Sequence, residues 1–473
     1  MGRIMNAFAL RTSSVTLSLL IYSAFYIVIF FPNAFFRHDD WLILGNSLLA
    51  ADSGWRGFFS PTLVFDDLAT PVTWFFRPMF KGAAYLFYRA FDLNYFRWLG
   101  CLLALQLGTL AITLRSLMIL TRHRTTSVLF VYLYIGSIHL HLGSTIWIGE
   151  GLMNIPQMFF LSLTTLFYLR TLLNKHRYTP LESLIGVFCL LVALGFKESS
   201  LFHVVILVLL TALEPCFSKL ALRSKCIHLS PYLLVCAIYF FVRVFMMPLN
   251  PAYSPGFSVN TWLRPLGIFG VSLGGIPLVA VSLLRLSSLS AYRALCAGLK
   301  KRFLYFLFLG ISLTPYFGHS FFSPGWLYGP GYYLLFFLCL SHPPLSQVSP
   351  TFFLRVSLFL FLLTMIPISL ELRKLGWWKW RVGQTQILEI VRSAKPDTSS
   401  LQIHKCRSEA FPASTLERVI GFKATFFHLW YTVHASTIQT EFLGCDDGVS
   451  TKADSLVLRW EFPRFTIGPH SAQ

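Results

Sequence analysis

Apolar residues in this chain recur in blocks of roughly the ~20 residues a helix needs to cross a hydrocarbon layer, and that recurrence restricts the fold more than any other feature. The blocks run near 14–32, 98–120, 127–148, 155–173, 181–196, 199–214, 229–248, 264–284, 303–318, 327–341 and 353–371. Hydrocarbon offers no partner to main-chain N–H and C=O groups, so such segments satisfy themselves as helices. The expected fold class is an all-α polytopic membrane protein of about eleven spans. A transmembrane domain would occupy 1–371, with a long first outer loop over 33–96, and a small strand-containing C-terminal domain would occupy 372–473. Composition agrees: 55% of residues are apolar and 12% charged, about half the charged fraction of an ordinary soluble domain.

The balance of 39 basic against 20 acidic residues, a formal charge of +19, would point to nucleic acid in a soluble chain. In a membrane chain it points to cytoplasmic loops and lipid headgroups, so membrane lipids are expected as partners and nucleic acid is not. Arg3 and Arg11 hold the N-terminus in the cytoplasm. The first block runs into Phe30-Phe31-Pro32 without a small-residue exit and reads as a retained anchor rather than a cleaved signal peptide. Arg122-His123-Arg124, Lys175-His176-Arg177, Lys219 to Lys225 and Arg285 to Arg302 then fall on the cytoplasmic side. The outer face receives 33–96, Glu150-Gly151, Lys197-Glu198, 249–262 and 319–326. An odd number of spans places the tail outside, against one local signal. Arg373, Lys374, Lys379 and Arg381, interleaved with Trp377, Trp378 and Trp380, form the kind of cluster that ordinarily stays inside. Within the tail, Thr425 to Val433 and Ser455 to Phe462 are rich in β-branched and aromatic residues and read as strands. On an oxidising side Cys406 and Cys445 would be able to pair; two free thiols fit the sequence as well.

Acidic residues are scarce outside the tail, and Asp39, Asp40, Asp52, Asp66, Asp67 and Asp92 all fall in the first outer connection. The strongest local feature is His38-Asp39-Asp40-Trp41, just after the first span. Two adjacent carboxylates at the lip of a bundle are costly unless hydrated, paired or bound to a cation. They suggest a base or a metal ligand; the plainer reading is a hydrated pair beside an interfacial Trp. In Phe76-Arg77-Pro78-Met79-Phe80-Lys81, Pro78 suits a first helical turn. Arg77 and Lys81, four apart, would share a face able to grip a lipid phosphate, or simply anchor to anionic headgroups. Glu150 and Glu198 lie at the same outer face, where Lys197 and Glu198 also read as a self-neutralised pair. Glu182 and Glu214, near cytoplasmic ends, look structural, and His139 and His141 face a polar bundle interior. No G-x-G-x-x-G opening a helix, Walker loop or H-E-x-x-H occurs, so nucleotide and zinc chemistry are not indicated.

The order of these pieces resembles the GT-C superfamily of membrane glycosyltransferases, especially its protein O-mannosyltransferase-like branch, which includes the transmembrane and tetratricopeptide-repeat O-mannosyltransferases and aminoarabinose transferases. His38-Asp39-Asp40-Trp41 is similar in place and type to that family's acidic pair. The Arg, Pro and Lys of residues 76–81 resemble its Pro-containing loop motif, and Lys197-Glu198 its S-K-E-x-G segment. Leu327-Tyr328-Gly329-Pro330 resembles an R-x-L-Y-x-P motif, with Gly325 where the family has arginine. The resemblance implies transfer of a sugar, with inversion, from a polyprenyl-phosphate donor to a glycan, glycolipid or protein acceptor at the outer face of a bacterial inner membrane. By that carry-over Asp39 is the base, aided by Asp40. Arg77, Lys81 and Lys197 bind the donor phosphate, and His38, Glu150, Glu198 and Tyr328 support the site. A divalent cation, Mg or Mn, on Asp39, Asp40 and Glu150 is the one cofactor this arrangement leaves room for. Two other functions compete. A transporter or flippase of lipid-linked saccharides would carry ionisable residues near the midplane and broken helices in related halves; an O-antigen polymerase or ligase would rely on arginines in a late outer loop.

Overall fold

The structure, a computed structural model, describes residues 16, 19–20, 22–24, 26–31, 36, 38–65, 71–73, 75–137, 144–145, 147–173, 180–247, 289–317, 328–341, 377–395, 397–405, 423–444, 455–461 and 464–467. Its longer helices are α1 (His38–Asp52), α2 (Pro78–Phe91), α3 (Tyr95–Thr121), α4 (Arg124–Gly136), α5 (Ile148–Leu173), α6 (Pro180–Phe196) and α7 (Leu201–Leu213). They continue with α8 (Leu222–Phe245), α9 (Leu289–Lys301), α10 (Phe303–Phe317), α11 (Tyr328–Ser341), α12 (Trp377–Ser393) and α13 (Lys423–His434). Strands β1 (Ser400–Lys405), β2 (Gln439–Gly444), β3 (Ser455–Glu461) and β4 (Arg464–Ile467) make one sheet in the order β2-β1-β3-β4. The chain is thus mostly helical with a small sheet near its C-terminus, as the sequence leads one to expect. Among the described residues α3, α5 and α8 are long and apolar enough to cross a membrane. The spans expected at 264–284 and 353–371 lie outside the described residues, as do His139, His141, Cys406 and Cys445.

The chain forms two compact units. The bundle unit comprises 1–29, 100–145 and 150–369. Here α5 is largely buried whereas α6 and α8 turn Leu184, Phe188, Leu234, Phe241 and Phe245 outward. Apolar faces that wide are at home against lipid rather than water. Hydroxyls within the helices return to their own main chain, as Thr109 to Leu105 O and Thr164 to Phe160 O, which leaves few donors unsatisfied in hydrocarbon. Aromatic rings interlock the helices: Phe130 of α4 meets Tyr332 of α11 edge-on, and Tyr168 of α5 meets Tyr232 of α8. Glu214, just past α7, bears out its structural reading. Its buried carboxylate accepts both Nε and an Nη of Arg302 at 3.0 Å, and the Tyr305 hydroxyl at 3.0 Å.

The second unit comprises 30–99, 146–149 and 370–473, so the first loop and the tail fold together. His38 opens a helix, although its motif reads as loop from the sequence, and α1 packs along α2 and α13. A Cβ on Gly45 would fall inside the His428 ring, so glycine at 45 is what lets α13 approach so closely. Along the same α13 face the Tyr431 hydroxyl donates to Asp52 Oδ2 at 2.6 Å, and Thr432 O accepts the Tyr88 hydroxyl at 3.2 Å. Strand β1 pairs in parallel with β2 (Ser400 opposite Gln439) and with β3 (Ser400 opposite Ser455), while β4 returns antiparallel to β3. The parallel β1–β2 pair requires a crossover, and α13 is its helix. The run 425–433, read as a strand, is therefore helical: a continuous apolar stretch does not distinguish the two by period, and burial of Phe426, Phe427 and Trp430 decides it. The tail helix α13 packs on α1 of the first loop, and α12 packs on α13.

Replacing one partner of a buried ion pair strands the other. Arg302→Met is expected to cost on the order of 3–5 kcal/mol, read as a fall in Tm by intrinsic fluorescence in detergent. An unchanged Tm would show that Glu214 is not held by this pair.

Candidate functional site

In the loop-and-tail unit, the first turn of α1 carries the acidic motif. The side chains of His38 and Asp39 lie outside the described residues. Asp40 is 4% exposed, so it is no hydrated loop acid, and its Oδ1 accepts the Gly149 N–H at 2.6 Å. Gly149 is the second residue of α5, where main-chain N–H groups have no acceptor within the helix. Asp40 therefore caps an orphan donor from a distant part of the sequence, at the helix end that favours negative charge. A Cβ at 149 would collide with this carboxylate, which explains the glycine there.

Arg77 is the residue just before α2, with Pro78 in the first turn as its ring geometry suits. The Arg77 guanidinium stands 4.9 Å from the centre of the Phe75 ring. Lys81, one turn into α2, is 2% exposed; its Nζ donates to Ser60 O at 2.8 Å and Thr62 O at 2.7 Å. It thereby ties α2 to the connection after Trp55–Phe59, which Asn46 also holds by two hydrogen bonds to Val64. Burial lowers the Lys81 pKa from 10.5 to about 8. Two of its three protons are committed to carbonyls, which leaves one for an anion.

The bundle unit carries a second group of polar side chains. Glu150 lies in the first turn of α5 and Asn154 one turn later. Asn154 Nδ2 donates to Glu150 Oε2 at 2.8 Å and to Ser144 Oγ at 3.0 Å, while its Oδ1 accepts Lys197 Nζ at 2.9 Å. The chain leaves α6 extended at Lys197, and this conformation turns the buried ammonium back to α5. Lys197 thus rests on the Asn154 amide, which also bonds Glu150. Gln157 Nε2 donates to Ser199 Oγ and Ser200 Oγ at 3.0 and 2.8 Å. Asn154, Gln157, Lys197 and Ser199 form the polar end of a cleft whose apolar wall includes Leu161, Phe202, Ile206, Phe308 and Phe337, with Tyr333 between. Such a cleft suits an amphiphile with an anionic head and a hydrocarbon tail.

Glu198 faces Arg243 Nε at 3.9 Å. Tyr328 is buried at the start of α11 and accepts the Tyr134 hydroxyl at 3.3 Å; Gly325 and Leu327 lie outside the described residues. Asn154 and Gln157 escaped the sequence reading. Their signal was there, four and seven residues after Glu150 on one helical face of an apolar segment. Among the described residues no three His, Cys, Asp or Glu side chains form a metal site; the trio of Asp39, Asp40 and Glu150 includes a side chain outside them.

The chain matches no protein-family model and no curated protein. Among solved structures it is similar to ArnT from Cupriavidus metallidurans, a crystal structure bound to undecaprenyl phosphate. The two are 11% identical with a TM-score of 0.48, over 95% of this chain and 93% of that one.

Lys81 makes stability depend on pH. Below about pH 8 folded and unfolded chains both carry the proton, and the folded state bears the full cost of burying it. Between about 8 and 10.5 the unfolded chain binds more protons, so stability rises with pH, by at most roughly 3 kcal/mol. Tm measured across this range should climb in the wild type relative to Lys81→Met, and parallel curves would exclude a buried, charged Lys81.

Proposed function

We propose that this chain is an integral-membrane glycosyltransferase of the GT-C type, taking a sugar from a polyprenyl-phosphate donor and delivering it, with inversion, to an acceptor at the outer face. The observation that carries the reading is the amphiphilic cleft of the bundle unit, with buried Lys197 oriented by Asn154 at one end and aromatic and aliphatic walls at the other. An isoprenoid chain needs a dry apolar groove, and its phosphate needs a fixed cation.

In the proposed reaction the acceptor hydroxyl attacks the anomeric carbon on the face opposite the phosphate. The bond from that carbon to the phosphate oxygen breaks with its electron pair leaving on the phosphate, and the hydroxyl proton passes to a carboxylate. Asp39 is the proposed acceptor of that proton. Asp40 is already engaged with Gly149 and serves to fix the turn that presents Asp39. Lys197, with Arg77 and Lys81 from the first loop, would stabilise the negative charge that builds on the departing phosphate. With the N-terminus read as held inside by Arg3 and Arg11, the proposed location of the first loop is the periplasmic face of a bacterial inner membrane.

Mass spectrometry of envelope lipids and glycans tests this in a deletion strain complemented with wild type, Asp39→Asn or Lys197→Met at equal protein level. A sugar lost on deletion and regained with wild type should stay missing with Asp39→Asn. Lys197→Met should reduce it by about 100-fold, the scale of losing one preorganised charge-stabilising group. Full recovery with Asp39→Asn would refute its role as base and move a lipid-saccharide transporter ahead.

A further inference from the structure

The main chain of Phe36 is held by a single side chain from the tail. Gln384, midway along α12, accepts the Phe36 N–H on Oε1 at 3.1 Å and donates Nε2–H to Phe36 O at 2.9 Å. One amide thus satisfies both polar groups of one residue, as a neighbouring strand would. The pair is buried, Phe36 at 3% and Gln384 at 7% exposure. Buried main chain outside helix and sheet has to find its partners elsewhere, and Phe36 finds both in Gln384. The Phe36 ring is equally fixed, 5.3 Å from Trp41 and edge-on to Trp98 at 5.3 Å.

Two residues later α1 begins with the acidic motif, and on its far side Asp40 is bonded to Gly149. Asp39 therefore stands between two anchored points, Phe36 before it and Asp40 after it. From this arrangement we propose that Gln384 is a positioning residue for the acidic pair: it fixes the main chain from which Asp39 is presented, and through it the tail takes part in sugar transfer. The inference rests on the reading of Asp39 as the base.

The test uses the full chain in detergent for hydrogen exchange, and the complemented deletion strain for envelope sugars. Gln384→Met keeps the length and removes both bonds; Gln384→Glu keeps the acceptor for Phe36 N–H and sets a carboxylate against Phe36 O. In Gln384→Met, exchange over 34–44 should accelerate by about tenfold or more, with strands 400–405 and 455–461 unchanged and the transferred sugar reduced by a similar factor. Gln384→Glu should fall between Met and wild type in both readings, a graded rescue that loss of tail packing would not produce. Wild-type exchange over 34–44 in Gln384→Met overturns the proposal, as does faster exchange with undiminished sugar. Equal loosening of the strands also overturns it, by making Gln384 a general staple of the tail. If wild type itself restores no sugar, the glycosyltransferase reading fails, while the exchange data still decide whether the clamp holds the motif.

Discussion

A carboxylate removed from water must be given a partner, and Asp40 is given the Gly149 N–H at the start of α5. Much of the arrangement depends on that choice. It fixes the first turn of α1, and it requires glycine at 149. A charged acceptor on a main-chain donor is worth about 1.5–3 kcal/mol, a large share of what holds any single loop in place. The same logic repeats at Lys81, whose buried ammonium is satisfied by two carbonyls, and at Glu214, whose carboxylate is satisfied by Arg302 and Tyr305.

The bundle unit ties its polar groups together through one amide. The Asn154 oxygen takes the Lys197 ammonium, and its nitrogen is shared by Glu150 and Ser144. Such a junction is expensive to build in lipid unless every donor and acceptor is used.

What was legible in the sequence is what depends on local pattern. Blocks of apolar residues located most helices of the bundle, Pro78 marked the start of α2, and the β-branched run at 455–461 marked β3. Glu214 could be read as structural because its position left it no other task. What was not legible depends on partners far along the chain. The run at 425–433 has the composition of a strand and becomes a helix because α1 offers Gly45 as a groove for His428. The His38 motif looked like a loop because nothing near it in sequence announces Gly149 or Gln384. Lys81 looked like a surface cation for the same reason, its partners being main-chain atoms that carry no residue signature. Asn154 was within reach of a helical-face argument, yet lone amides in apolar segments attract less attention than charges.

The clamp between Phe36 and Gln384 joins residues 348 apart in sequence. During synthesis at about 5–20 residues per second, roughly 20 to 70 seconds pass between the appearance of one partner and the other. Throughout that interval the first loop lacks the elements that cover it, and the grooved side of α1 at Gly45 is bare. The acidic motif therefore acquires its final setting only when the last part of the chain arrives. Assembly of this region is in this sense timed by the end of translation, and a ribosome that stalls before the tail leaves behind a membrane-inserted but unfinished chain.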